Sequence, residues 1–280
     1  MTTVRVAVLG AAGRMGRTVC AAVGACADLE LVGAVDPSAT GTELAPGEAA
    51  AGPGPGGGEP AGPLVLSGRV EDLAEVRPDV VVDFTNAEAA VPALLWCAAN
   101  GVHAVSGTTG IDGGELERLG AAFAAPGSPN CVIAPNFAIT AVLLLRLAEI
   151  AAVHLDSVEI VELHHDAKRD APSGTALETA RRIAHARSRA GLAPPVEPTA
   201  TEVLAGVRGG VGSGGIHVHA IRLPGLVAHE EVVFGAPGQT LTIRQDSYDR
   251  SSFMPGVLAA VRAVASLEGL TIGLEPVLGL

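Results

Sequence analysis

Short apolar runs alternate with Ala-rich stretches through the first half of the chain. Val4 to Leu9, Leu29 to Val35, Val80 to Phe84, Val102 to Ser106 and Cys131 to Ala134 stay apolar with little polar alternation, as strands of an open parallel sheet do. Helices are expected from Arg14 to about Ala27, near Glu71 to Val76, through Leu94 to Ala99, and from Ala138 to about Ala152. Leu64 to Leu66 resumes regular structure after Pro37 to Pro63, a Gly, Pro and Ala stretch without apolar period that reads as a flexible, poorly ordered surface loop.

The second half has a different rhythm. Strand Ser157 to Leu163 is followed by a helix from Thr175 to about Arg189, a Pro-rich connector and the glycine cluster Gly209 to Gly215. Three more strands follow: Ile216 to Arg222, Ala228 to Phe234 and Gln239 to Asp246. The short turns Pro224-Gly225 and Pro237-Gly238 between them suggest successive antiparallel pairing. A sheet open on one face is a ready surface for self-association. A last helix, Ser251 to Ser266, is expected to fold back on the first domain. The fold class this predicts is α/β: a Rossmann-type parallel-sheet nucleotide domain, plus an α+β substrate and oligomerisation domain with a mixed sheet.

The ends of the early strands carry the polar chemistry. Val4 to Leu9 runs into Gly10-Ala11-Ala12-Gly13-Arg14-Met15-Gly16, a glycine-spaced turn opening a helix, as dinucleotide-binding units begin. Asp36 closes the second strand, where an acidic side chain can accept hydrogen bonds from an adenosine ribose. An ordinary tight turn and a strand-end cap are the competing readings. Phe84 and Thr85 follow the third strand and are candidates to touch a cofactor, although Thr85 or Asn86 could equally cap the next helix. Gly107-Thr108-Thr109-Gly110 and Ala134-Pro135-Asn136-Phe137 repeat the pattern at later strand ends.

Residues 162–176, ELHHDAKRDAPSGTA, combine paired histidines, a lysine and a helix start. Alternation puts Glu162 and His164 on one strand face, with Leu163 and His165 on the other unless the loop begins there. Ser173 or Asp170 can cap the helix, and Pro172 suits its first turn. Free N–H groups at Gly174 and Thr175, with His164, His165 and Lys168 nearby, would attract a small carboxylate or phosphate. The competing reading is a solvated loop with a satisfied histidine pair.

Composition sharpens this picture. The chain has 280 residues, and of its 18 basic residues Lys168 is the only lysine, so its ammonium stands apart from seventeen guanidiniums. A net charge of −12 and an aromatic content of 2% argue against nucleic acid as a partner. The longest apolar stretch, Phe137 to Leu145, is interrupted by Arg146 and Glu149 before it could span a bilayer, and the first residues lack a signal-peptide pattern, so a cytoplasmic enzyme or binding protein is expected. Cys20, Cys26, Cys97 and Cys131 have no CxxC spacing and read as free thiols. His217 and His219 share a strand face without a third ligand, so no metal site is expected and both read as packing or interface residues.

Taken in order, GAAGRMG, DFTNAEA, GTTG, APNFAI, ELHHDAKRDAPSGTA, HEEVVFG and DRSSFMPGVL resemble the bacterial dihydrodipicolinate reductase family of lysine and diaminopimelate synthesis over nearly the full chain. HHxxKxDAPSGTA is the specific element; the glycine turn is not. The resemblance implies a nucleotide domain from 1–137 with 250–280 and a substrate and tetramerisation domain from 138–249. It also implies reduction of a cyclic imine dicarboxylate by NADH, NADPH or both in a homotetramer, with domain closure for turnover. By the same resemblance His164 is the acid/base residue and Lys168 the proton donor, while His165, Gly174 and Thr175 hold substrate carboxylates. Gly10 to Met15 (Gly10, Ala11, Ala12, Gly13, Arg14, Met15), Asp36, Phe84, Thr85, Gly107, Thr108, Thr109, Ala134, Pro135, Asn136 and Phe137 hold the cofactor. Some relatives place a basic residue after the ribose-binding acid, to meet a 2′-phosphate. Here that position is Pro37, with Arg14 able to compensate, so NADH is expected to serve at least as well as NADPH. An amino-acid dehydrogenase on the same plan, or a non-catalytic nucleotide sensor, would leave the double histidine and Lys168 unexplained.

Overall fold

The computed structural model describes residues 3–44 and 64–280. The chain forms two compact units, Met1–Ala138 with Phe253–Leu280, and Ile139–Ser252.

In the first unit, β1 (Val4–Leu9), α1 (Arg14–Gly24) and β2 (Leu29–Val35) are followed by α2 (Leu73–Val76) and β3 (Val80–Asp83). Then come α3 (Ala87–Ala99), β4 (His103–Ser106), α4 (Gly113–Phe123) and β5 (Cys131–Ile133). Asn86, not Thr85, caps α3, its side chain accepting from Ala89 N. The apolar strands pair in parallel, and their side chains meet Leu94, Leu119 and Phe123 of α3 and α4 in one core.

The loop expected over Pro37 to Pro63 is more regular at its start than its composition predicts. Asp36 accepts from Ser38 N and caps a short 3₁₀ turn at Pro37–Ala39, Glu43 bridges Val65, and Ser67 adds one parallel bridge beside Val35. The rest of that expectation, 45–63, lies outside the described residues.

The second unit contains α5 (Ile139–Ala152), β6 (Ser157–His164), α6 (Gly174–Arg189), β7 (Gly210–Val211), β8 (His217–Arg222), β9 (Ala228–Ala236) and β10 (Gln239–Ser247). Strand order is β10-β9-β6-β8-β7, with β6 parallel to β8 and antiparallel to β9. This corrects the expected run of three antiparallel neighbours, for β8 and β9 do not pair. Their connection arches over the end of β6 instead, where Leu223 N donates to His164 O and His165 N to Val227 O. Pro224-Gly225 therefore marks a crossover between flanking strands, which local turn chemistry does not distinguish from a hairpin. Val158, Ile160, Val218, Val232 and Phe234 pack against α5 and α6 on one face of the sheet.

The chain then returns to the first unit through α7 (Met254–Ala263), β11 (Leu270–Ile272) and α8 (Glu275–Leu278). The helix expected over Ser251 to Ser266 is α7 flanked by 3₁₀ turns. β11, unforeseen, adds to the sheet beside β5 and completes the order β11-β5-β4-β3-β1-β2. Here β1 sits between β2 and β3, so successive connections leave it in opposite directions and open a crevice at the carboxyl ends of β1 and β3.

Candidate active site

At that crevice the backbone supplies most of the chemistry. Gly10 adopts φ +72°, and a Cβ there would come within 2.9 Å of Phe84 O. A Cβ on Gly16 would approach Gly10 O to 2.0 Å, so a side chain at either position would fill the turn. The turn leaves the N–H groups of Arg14, Met15 and Gly16 at the start of α1 without a backbone partner among the described residues. Asp36 meets the same turn, its Oδ2 accepting from Ala12 N at 3.0 Å while Oδ1 accepts from Ser38 N and Oγ. The carboxylate is thus both a cap and a brace for the glycine turn. These glycines, the free helix start and Asp36 suit a dinucleotide pyrophosphate and ribose.

Asp83 is a feature that sequence reasoning missed. It is fully buried at the end of β3, and its carboxylate accepts from Thr85 N and Oγ1, Ser106 Oγ and Thr108 Oγ1 at 2.6–3.1 Å. Two candidate loops, those after β3 and β4, are thereby tied to one acceptor. Thr85 and Thr108 turn their hydroxyls inward to it, a bracing role beside the cofactor contact expected of them, because hydroxyls beside a buried carboxylate are its nearest source of donors. Phe84 packs against Phe137 with ring centroids 5.8 Å apart, and a Cβ on Gly107 would strike the Phe84 ring. Asn136 Oδ1 accepts from Ala138 N, bracing the Ala134 to Phe137 turn; Thr109 is exposed and Ala134 buried.

In the second unit, β6 ends at His164, so His165 already belongs to the loop. Glu162 and His164 share a face, as alternation requires, and His164 Nδ1 lies 2.6 Å from Glu162 Oε2. Arg222, in register with His164 on β8, clamps both oxygens of Glu162 at 2.7 Å and also donates to Asp170 O at 2.8 Å. Ser173 N donates to Glu162 Oε1, while Ser173 Oγ accepts from Ala176 N and caps α6. Pro172 therefore precedes the cap and lies outside the first turn expected for it. Gly174 and Thr175 keep their N–H groups without a partner among the described residues, and Gly174 faces open space where a side chain would stand. Lys168 is half-buried, its ammonium 2.7 Å from Asp170 Oδ2, and His165 is exposed.

Electrostatics separates the protonation states. Burial draws the His164 imidazole below its ordinary value; Glu162 opposes that pull, and Lys168 and Arg222 add to it. Burial pushes Glu162 upward, but the bonds from Arg222 and His164 outweigh it and hold the carboxyl below the ordinary range. Directly opposite on β9, buried Glu230 is pushed up to about 7 by desolvation, with the neighbouring Glu162 charge adding to the rise and a bond from Thr179 opposing it. Arg222 carried no signal in the sequence and Glu230 stood only as part of HEEVVFG; the register of β8 and β9 against β6 brings both to the motif. His217 and His219 engage Glu197 and Glu159 at 2.7 and 2.8 Å.

A family model described as the N-terminus of dihydrodipicolinate reductase matches residues 4–137, and one described as its C-terminus matches 140–278. The chain belongs to the dihydrodipicolinate reductase family. That places it among oxidoreductases of lysine and diaminopimelate biosynthesis, with an NAD(P)H-binding amino-terminal part. It is 47% identical to a 4-hydroxy-tetrahydrodipicolinate reductase of Nocardia farcinica over 278 residues, covering 99% of this chain and 100% of the relative. A Mycobacterium ulcerans reductase of the same name is 46% identical over 276 residues, 99% of each chain. Among solved structures, dipicolinate-bound dihydrodipicolinate reductase from Paenisporosarcina sp. TG-14 superposes with a TM-score of 0.84 at 35% identity, covering 98% of this chain and 99% of that one. An amine dehydrogenase from Mycobacterium smegmatis, at 17% identity and a TM-score of 0.61 over 97% and 95% of the two chains, shares the fold alone. HHxxKxDAPSGTA, the specific element of the family resemblance, lies within the match to the carboxyl-terminal model.

Proposed function

We propose that the chain reduces a (hydroxy-)tetrahydrodipicolinate-type cyclic imine dicarboxylate to tetrahydrodipicolinate with NADH, NADPH or both. The observation that carries this reading is the placement of His164 at the end of β6, His165 and Lys168 in the loop that follows, and the uncapped N–H groups of Gly174 and Thr175 at the start of α6. Dipicolinate, the ligand of the Paenisporosarcina relative, is a ring with two carboxylates, the chemistry such a cluster fits. His165 and the start of α6 hold the carboxylates. His164 and Lys168 carry the proton that must reach the substrate as reduction leaves negative charge on it. NAD(P)H supplies the hydride. In the first unit, the turn from Gly10 to Met15 holds the pyrophosphate and Asp36 the ribose, while the loops around Phe84, Gly107 and Phe137 complete the nucleotide site.

Mixing the purified protein with reduced cofactor and freshly made cyclic substrate, and following cofactor absorbance, tests the reading. Lys168→Ala is expected to lower kcat by roughly 10²–10⁴ while leaving nucleotide affinity intact; near-normal turnover would refute the role of Lys168. Pro37 follows Asp36 and offers no cation to a 2′-phosphate; Arg14 lies in the turn, and the Arg17 guanidinium donates to Ala12 O at 2.9 Å. NADH is accordingly expected to match or exceed NADPH in kcat/KM on one preparation, and a strong NADPH preference overturns that assignment.

A cytoplasmic homotetramer completes the proposal. The sheet face opposite α5 and α6 carries Val161, Leu163, Ile221 and Val233 among the ion-paired Glu159, His219, Glu231 and Arg244, a mixed surface suited to association between copies. Sedimentation at working concentration measures the subunit count.

A further inference from the structure

Glu162 is the least explained residue of the carboxyl-terminal unit. It has no solvent exposure, yet its two oxygens meet four donors or ring nitrogens: His164 Nδ1, Arg222 Nη1, Arg222 Nη2 and Ser173 N, at 2.6, 2.7, 2.7 and 3.0 Å. Burying a carboxylate is expensive even when it is paired, and an apolar side chain of similar size would serve packing at less cost. What its partners have in common is the site. His164 carries the proton, Ser173 caps the helix whose first N–H groups hold substrate carboxylates, and Arg222 also grips the backbone of Asp170, the carboxylate partner of Lys168.

We infer that Glu162 is the positioning residue of the reduction: it holds His164 in the Nδ1–H tautomer, leaves Nε2 as the proton-exchanging atom, and locks that imidazole to the substrate-holding start of α6. The inference rests on the reading of His164 as a proton carrier. A carboxylate beside Nδ1 selects the tautomer because it accepts and cannot donate. Its charge also sustains the imidazolium against its surroundings. Lys168 from the loop and Arg222 from β8 face His164 as cations, Asp170 sits beyond Lys168, and from β9 Glu230 faces Glu162. Removing the Glu162 charge leaves burial and two cations unopposed at His164.

The experiment compares wild type, Glu162→Gln and His164→Asn as full-length enzyme. In Glu162→Gln, kcat is expected to fall roughly 10²-fold with nucleotide KM unchanged, and the alkaline limb of the kcat profile, which follows loss of the His164 proton, should move to lower pH. A merely structural residue would lower thermal stability and leave that limb in place, which overturns the inference. NMR of isotope-labelled histidine in the wild type, with His164 assigned from His164→Asn, reads the tautomer directly even if Glu162→Gln does not fold. An Nδ1–H signal supports the inference, and an Nε2–H signal defeats it. Near-normal turnover by His164→Asn would instead remove the proton-carrier reading itself, whereas loss of turnover there beside an unmoved limb in Glu162→Gln discards Glu162 alone.

Discussion

Asp83 and Glu162 are both wholly buried carboxylates at strand ends, one in each unit, and they are satisfied in different ways. Asp83 is surrounded by neutral donors, three hydroxyls and one backbone N–H, all from the ends of β3 and β4 and the loops that follow them. Glu162 is surrounded by an arginine, a histidine and a helix-capping serine drawn from β6, β8 and the start of α6. Neutral donors brace loops without altering the charge of a site, which suits the crevice proposed to hold a nucleotide mainly through backbone groups. Cationic donors do more. They keep the carboxylate ionised and set the protonation of the histidine beside it, which suits a place where a proton must move.

The contrast is sharpest when one partner is removed. Arg222→Ala leaves a buried charge without its bidentate counterion and is expected to cost about 3–5 kcal/mol, a fall in Tm of roughly 10 °C by calorimetry. Asp83→Asn tests the neutral counterpart. The amide keeps one acceptor oxygen and the three hydroxyls can reorient, so a smaller loss of about 1–3 kcal/mol is expected, with weaker nucleotide binding as the Thr85 and Thr108 loops loosen. Equal losses for the two variants would erase the distinction drawn between the sites.

Glu230→Gln has the opposite sign. Its carboxyl is raised to about 7 in the folded chain, from about 4.3 when unfolded, so the native state binds the extra proton across that window. The stability it contributes is full below about pH 4.3 and is lost as pH rises to about 7. Glutamine removes that loss. The variant should match wild type near pH 4 and exceed it by a few degrees in Tm at pH 8. A Tm difference independent of pH would contradict the raised value.

Much of this was legible in the residue order. The glycine spacing after β1, the apolar strands and the helix start at Ser173 are local signals, each set by neighbours within a turn or a pleat, and the structure places them within a residue or two of expectation. The bond from the Thr85 hydroxyl to Asp83, two residues back, was not legible in the residue order, because it depends on the turn geometry. β11 was missed because three residues carry no periodicity, and its place beside β5 depends on a chain segment returning from 139 positions away.

By itself, then, the sequence determined the apolar strands β1 to β6 and the helices that open at Arg14 and after Ser173, the cradle of N–H groups at the glycine turn, and the presence of His164, His165 and Lys168 beside a capped helix. Tertiary structure decided which strands flank β6, and with that everything about Glu162: that Arg222 arrives from β8 to neutralise it, and that Glu230 stands opposite on β9. The physical reason is range. Backbone conformation and capping are fixed by contacts a few residues apart, whereas the charge state of a buried group depends on whatever the fold carries to it from distant parts of the chain.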